Sequence, residues 1–252
     1  MRIDKALLEM GHFENRSKAL EAIKSENVTY KGLTVKKGGL IVDDIGLIEI
    51  KNKNKYVSRA GLKLESAIKS FEIDLSGKIV LDIGSSTGGF VDCALSHHAK
   101  KVTAVDVGSN QLSEKLRSDK RVELYEKTDF RYISEEKILD ADIITIDVSF
   151  ISVKHLLTKI RKATSCNQII CLIKPQFEVG KEIASKYRGV IKDIDQHKLA
   201  INSVVKGFNK IDFYLVDVIV SPIEGKKGNT EYLAYLKKKS KSSLKNNKLK
   251  IF

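Results

Sequence analysis

Val80-Leu81-Asp82-Ile83-Gly84-Ser85-Ser86-Thr87-Gly88-Gly89-Phe90 runs from an apolar strand through a glycine-bearing turn into a helix. Glycine belongs in such a turn because the backbone must approach a ligand closely and take conformations that a Cβ forbids. The spacing Gly84-x-x-x-Gly88 is not the G-x-G-x-x-G of a dinucleotide site, and no G-K-[ST] follows to make a phosphate loop. Asp82, one turn ahead of the loop, suits a ligand with a cationic amino-acid end better than a pyrophosphate. Asp106 closes the next strand, where a carboxylate accepts hydrogen bonds from ribose hydroxyls in nucleotide-binding Rossmann folds.

Working outward from this loop, strands alternate with helical segments. KIVLDIG, KVTAVDV, RVELYE, DIITIDV, QIICLIK, FYLVDVIV and TEYLAYL make seven strands. Several are unbroken apolar runs, which suit strands covered on both faces, so the expected class is α/β, a Rossmann-like, mostly parallel seven-stranded sheet with helices on both faces. The last two strands leave no room for a crossover helix and predict an antiparallel end. Leu64, Ala67, Ile68 and Phe71 follow i, i+3, i+4, i+7, a helix carrying Lys63 at its start.

Upstream, residues 1–50 read as a small α+β domain. Ile3, Leu7 and Leu8 open it, a helix begins near Asn15 or Ser17 with Ala19, Leu20 and Ile23 on one face, and Val28-Thr29-Tyr30 is strand-like before a Lys31-Gly32 turn. Asn27 is expected in a left-handed conformation between helix and strand. The charged KNKNKYVS, residues 51–58, reads as a linker, 59–238 as the larger domain and 239–252 as a basic tail.

The chain of 252 residues carries a formal charge of +13, which attracts a polyanion such as nucleic acid or an anionic membrane surface. Seven lysines between Lys237 and Lys250 supply more than half of it, and a solvated, flexible end explains them as readily as a specific site does. Cys93, Cys166 and Cys171 form no CxxC pair, and neither they nor the five histidines have zinc-site spacing, so no metal is expected. No apolar run reaches the roughly 20 residues of a membrane span, and the charged start MRIDKALLEMGHFENR lacks a secretory apolar region. A cytoplasmic protein, monomeric or weakly dimeric, is the expectation.

Four further segments are polar where a plain fold does not need it: SRAGLKL around Lys63, TIDVSFIS around Asp147, LIKPQFEVGK around Lys174 and GNTEYL around Glu231. Asp147 and Lys174 end apolar strands, the edge at which open α/β sheets bind ligands. Pro175 biases Lys174 towards extended geometry at its strand tip.

With DIGSSTGGF, AVDVG, TIDVSFIS, IKPQFEVG and GNTEYL in register, residues 1–238 closely resemble the TlyA family, bacterial proteins that join an S4-type RNA-binding domain to an FtsJ/RrmJ-like methyltransferase domain. The resemblance implies S-adenosylmethionine as cofactor, ribosomal RNA or ribosomal subunits as partner, and transfer of a methyl group to a ribose 2′-hydroxyl, with cytidine the family's nucleotide. It puts the family's lysine-aspartate-lysine-glutamate tetrad on Lys63, Asp147, Lys174 and Glu231. Cofactor positions fall on Asp82, on Gly84, Ser85, Ser86, Thr87, Gly88, Gly89 and Phe90, on Asp106 with Val107, on Asp129 with Phe130, and on Asp147. RNA contacts are expected from Arg2, Arg16, Ser17, Lys18, Lys24 and Arg59. Ala60 stands where the family commonly has glycine, and Tyr30-Lys31-Gly32 replaces its Val-Asn-Gly.

A ribose hydroxyl is a poor nucleophile at neutral pH, whereas a sulfonium methyl is already activated, so the protein's task is mainly in-line alignment and removal of one proton. Lys174, its pKa lowered by burial and by Lys63, is expected to be the base, with Asp147 orienting it, Lys63 on the hydroxyl or a phosphate, and Glu231 fixing a lysine. Three rivals remain. Members of the family carry a hemolysin label, which suggests a membrane-active cytolysin, although no spanning segment or amphipathic pore strand supports it. A non-catalytic ribosome-assembly factor is disfavoured by the intact tetrad, and an NAD-linked oxidoreductase by the glycine spacing.

Overall fold

A computed structural model describes residues 1–13, 15–51 and 55–239, and the chain divides between Asn54 and Lys55 into two units. The predicted linker residues 52–54 and the tail beyond Lys239 lie outside the described residues.

In the first unit, helices α1 (Ile3–Glu9) and α2 (Arg16–Lys24) precede strands β1 (Val28–Tyr30), β2 (Leu33–Thr34) and β3 (Ile48–Ile50), which pair antiparallel in the order β2-β1-β3. Ile3, Leu7, Ala19, Ile23 and Val28 form its core. Asn15 caps α2 by accepting from the Lys18 amide at 3.0 Å, so of the two predicted openings Asn15 is the cap. At the other end, Glu26 and not Asn27 takes the left-handed conformation, φ 56°. The Asn27 amide instead donates to Ala22 and the Glu26 amide to Ile23, and this paired closure puts the positive φ on the residue before Asn27. Lys31 and Gly32, both at positive φ, turn β1 into β2 with the twist that a two-residue hairpin needs.

The second unit contains β4 (Ile79–Ile83), β5 (Lys101–Val105), β6 (Val122–Tyr125), β7 (Ile143–Ile146), β8 (Gln168–Ile173), β9 (Phe213–Val220) and β10 (Tyr232–Lys238), ordered β6-β5-β4-β7-β8-β10-β9. The first five are parallel, and β10 lies antiparallel between β8 and β9, as the short final connection predicts. Its helices are α3 (Ala60–Ser70), α4 (Gly89–Ser96), α5 (Glu114–Arg117), α6 (Leu157–Ile160), α7 (Pro175–Glu178), α8 (Lys181–Lys186) and α9 (Ile194–Asn209). Successive strand residues point to opposite faces, so Val80 and Ile170 pack with Leu64 of α3 and Phe90 of α4, while Leu81 and Ile169 pack with Phe208 of α9. Burial on both faces is why β8 is apolar without interruption from Ile169 to Ile173.

The linker predicted over 51–58 is shorter than expected, because Lys55–Ser58 fold with the second unit. Tyr56 is buried, the Val57 amide donates to Asp92 at 2.9 Å, and a Cβ on Gly61 would stand 2.4 Å from the Tyr56 ring. The charged composition of 51–58 conceals this one anchoring aromatic.

Candidate active site

The parallel strands deliver their carboxyl ends to one edge, so Gly84, Asp106, Asp147 and Lys174 follow the tips of β4, β5, β7 and β8. Strand β10 runs the other way and brings its amino end there. Tyr232 pairs with Ile173, placing Glu231 in register beside Lys174. An acid from late in the sequence thus reaches the ligand edge only through the antiparallel insertion.

A cavity of about 490 Å³ opens over β4, β5 and β7, with Gly84, Ser86, Asp106, Val107, Asp129, Phe130 and Asp147 in its wall. Gly84 has φ +88°, and a Cβ there would stand 2.5 Å from the Asp147 carbonyl oxygen. Only glycine lets the loop pass that close. Asp106 accepts from the Ser86 amide at 2.8 Å and the Gly108 amide at 2.7 Å, which fixes the loop and holds the carboxylate at the rim. Asp129 accepts from the Arg131 amide, and the Arg131 guanidinium, 2.5 Å away, holds its carboxyl below the usual range.

Asp82 lies beneath this loop, 1% exposed. One oxygen accepts from Thr145 Oγ1 at 2.6 Å and the other has no partner. Burial, helped by the charges of Asp147 and Asp106, pushes its pKa up to about 7. A buried acid with a spare oxygen near two more carboxylates favours a ligand carrying positive charge, and with the Gly84 cradle it fits an aminoacyl nucleoside better than a pyrophosphate.

The end of the predicted cofactor loop is not in the cavity wall. A Cβ on Gly88 would meet Leu116 at 2.3 Å, Gly89 lets Ser58 and Ala60 come close, Thr87 accepts from the Ser113 amide, and Phe90 sits in the core between α3 and α4. Ser85 is buried as well, its hydroxyl without a partner. These residues seat α4; Gly84 and Ser86 face the ligand space.

A second cavity, about 690 Å³, adjoins the first, and Ser149 and Phe150 line both. Lys63, Lys174 and Glu231 stand in its wall with Arg59, Gln176 and Phe177. Lys174 Nζ lies 2.6 Å from Asp147 Oδ1 and donates to Ser149 Oγ at 2.8 Å. Lys63 Nζ lies 2.6 Å from Glu231 Oε2. All four tetrad residues therefore meet at this edge as two ion pairs, and the acid that fixes Lys63 is Glu231. Lys63 and Lys174 are each only 8% exposed, so their charges are weakly screened. Phe150, 86% exposed with φ 67°, has its ring 5.3 Å from that of Phe177. Sequence reasoning left out Ser149, Phe150 and Phe177, although all three lie in the quoted TIDVSFIS and LIKPQFEVGK segments. Nothing in a hydroxyl or a phenyl group marked them until the loops met.

Of the predicted RNA-contact residues, Arg2 and Arg16 converge on the buried Asp4, at 3.0 and 2.8 Å, and hold its pKa down at about 2. Ser17 and Lys24 are exposed on α2, Lys18 is half-buried beside them, and Arg59 is in the second unit at the larger cavity.

A sheet of this order, with a glycine cradle and paired cavities at its carboxyl edge, defines a Rossmann-like methyltransferase. The chain belongs to the FtsJ-like methyltransferase family, whose model matches residues 56–238. It is 42% identical to Hemolysin A of Brachyspira hyodysenteriae, over 93% of this chain and 99% of that protein. It is 41% identical to the 23S rRNA (cytidine-2′-O)-methyltransferase TlyA of Campylobacter jejuni, over 88% of this chain and 93% of that one. A solved protein from Streptococcus thermophilus, provisionally named a hemolysin, superimposes with a TM-score of 0.74 at 37% identity, covering 94% of this chain and 88% of the other. The TlyA resemblance read from the motifs is borne out. Among the described residues no helix is long and apolar enough to cross a membrane.

Proposed function

We propose that the protein transfers a methyl group from S-adenosylmethionine to the 2′-hydroxyl of a cytidine in ribosomal RNA. The observation that carries this reading is the Lys174–Asp147 pair, whose acid lines one cavity and whose base lines the next, with Ser149 and Phe150 common to both. When bound, S-adenosylmethionine supplies an electrophilic methyl group. Gly84, Ser86, Asp106 and Asp129 are the residues that would hold it, with Asp82 buried beneath the loop and outside the cavity wall. The larger cavity then takes the acceptor ribose and base, with Phe150 and Phe177 as apolar walls.

In its neutral form Lys174 accepts the proton of the 2′-hydroxyl on Nζ, while Asp147 and Ser149 keep that nitrogen aimed. Lys63, braced by Glu231, holds the hydroxyl or a neighbouring phosphate. Alignment of oxygen and methyl carbon supplies most of the acceleration, since the leaving group is already activated. The experiment is methyl transfer to ribosomal subunits from cells lacking this gene, read as ribose-methylated cytidine in digested RNA. Lys174→Ala and Lys174→Arg are expected to lower kcat by about 10²- to 10⁴-fold with little change in cofactor affinity. Near-normal rates in both would remove the lysine from the role of base.

The α2 side chains Ser17, Lys18 and Lys24 and the guanidinium groups around Asp4 support an RNA-gripping role for the first unit, as in an S4-type domain. Such phosphate contacts give affinity and placement, and a folded RNA loop is then selected by shape.

A further inference from the structure

Glu178 lies one helical turn beyond Lys174, at the end of α7, and is 7% exposed. It lines neither cavity. Its Oε1 accepts from the Val153 amide at 2.8 Å and its Oε2 from Ser152 Oγ at 2.5 Å. Burial pushes its pKa above the ordinary carboxylate range, against the pull of those two hydrogen bonds. A carboxyl group so enclosed needs both of these hydrogen bonds to offset the loss of water, which ties Glu178 to its two partners.

The segment it grips, 147–153, is the one that Lys174 grips at its other end, through Asp147 at 2.6 Å and Ser149 at 2.8 Å. Between the two grips stands Phe150, left-handed at φ 67° and packed on Phe177 of α7. A bulky aromatic residue keeps such a backbone only where the surroundings over-determine it. Two anchors at the ends of α7 do so here: Lys174 just ahead of it, catalytic in the reading above, and Glu178 at its end, outside both cavity walls.

We propose that Glu178 is a positioning residue for methyl transfer: its carboxylate fastens the 147–153 loop to α7, so that Asp147 and Ser149 stay on Lys174 Nζ and Phe150 stays where the two cavities meet. The inference rests on the proposed function for its catalytic half and on hydrogen bonding alone for its structural half.

The full chain is tested as Glu178→Ala, Glu178→Gln and Ser152→Ala. Glu178→Ala is expected to lower kcat about 10- to 100-fold through misalignment, with KM for ribosomal subunits and the Kd for S-adenosylmethionine within about twofold. Amide hydrogen exchange across 148–153 rises in the same variant. Glu178→Gln restores both, because its amide oxygen accepts from Val153 and its NH₂ donates to Ser152. Ser152→Ala removes one of the two bonds, gives an intermediate loss, and serves should Glu178→Ala not fold. A wild-type kcat in Glu178→Ala, unchanged exchange over 148–153, or a glutamine variant as slow as the alanine one would overturn the proposal. A wild-type chain that transfers no methyl group would overturn the functional reading instead. The exchange measurement needs no substrate and tells the two failures apart.

Discussion

Asp82 shows how burial of a single carboxyl group ties the stability of the fold to pH. Its ordinary pKa of 3.8 is raised to about 7 by burial, so between those values the folded chain keeps a proton that the unfolded chain has released. The stability tied to that proton is therefore complete below about pH 4 and lost as the pH rises through about 7, an effect on the order of 4 kcal/mol. Asp82→Asn cannot titrate. Thermal melting of the ligand-free protein from pH 4.5 to 7.5 is expected to show the wild type losing Tm relative to the variant across that window. A wild-type-minus-variant difference that stays flat with pH would contradict the raised pKa. Asp4 has the opposite sign, since Arg2 and Arg16 hold it at about 2, and its contribution disappears only as the pH falls through that region.

At the scale of the element, the β4-to-α4 turn joins two demands that sequence spacing presents as one. Its first glycine, Gly84, is set by the approach of the Asp147 backbone; Gly88 and Gly89 are set by Leu116, Ser58 and Ala60. Gly84→Ala introduces both a Cβ clash at 2.5 Å and an L-residue at φ +88°. It is expected to destabilise the chain by about 1–3 kcal/mol. Titration calorimetry is expected to show S-adenosylmethionine affinity falling at least about tenfold, since backbone displaced there intrudes on the ligand space. Affinity equal to wild type would mean that the turn is not the cofactor cradle.

For the whole molecule, the division at Asn54 and Lys55 separates two cores, and the first unit's aliphatic cluster is complete in itself. A chain lacking residues 1–54 keeps Tyr56 and hence its anchor over Gly61. It is expected to bind S-adenosylmethionine normally and ribosomal RNA roughly tenfold or more weakly, with a shallower dependence of affinity on salt because fewer phosphates are neutralised. RNA affinity and salt slope equal to those of the full chain, read by filter binding across a salt series, would refute the gripping role.

The amino-acid order by itself determined the seven strands, the antiparallel finish and the glycine turn, because periodicity and strand-terminal polarity are local properties written in neighbouring residues; Lys63, Asp147, Lys174 and Glu231 are singled out by the resemblance of their motifs to a family's tetrad. Only the tertiary structure decided that Glu231 pairs with Lys63 and Asp147 with Lys174, that Tyr56 belongs to the second unit, and that Thr87 to Phe90 serve packing. It also brought in Ser149, Phe150, Phe177 and Glu178. Those pairings depend on which strand tips share an edge and in which direction β10 runs. A hydroxyl, a phenyl ring or a buried carboxylate gains its meaning from a neighbour that is remote in the chain.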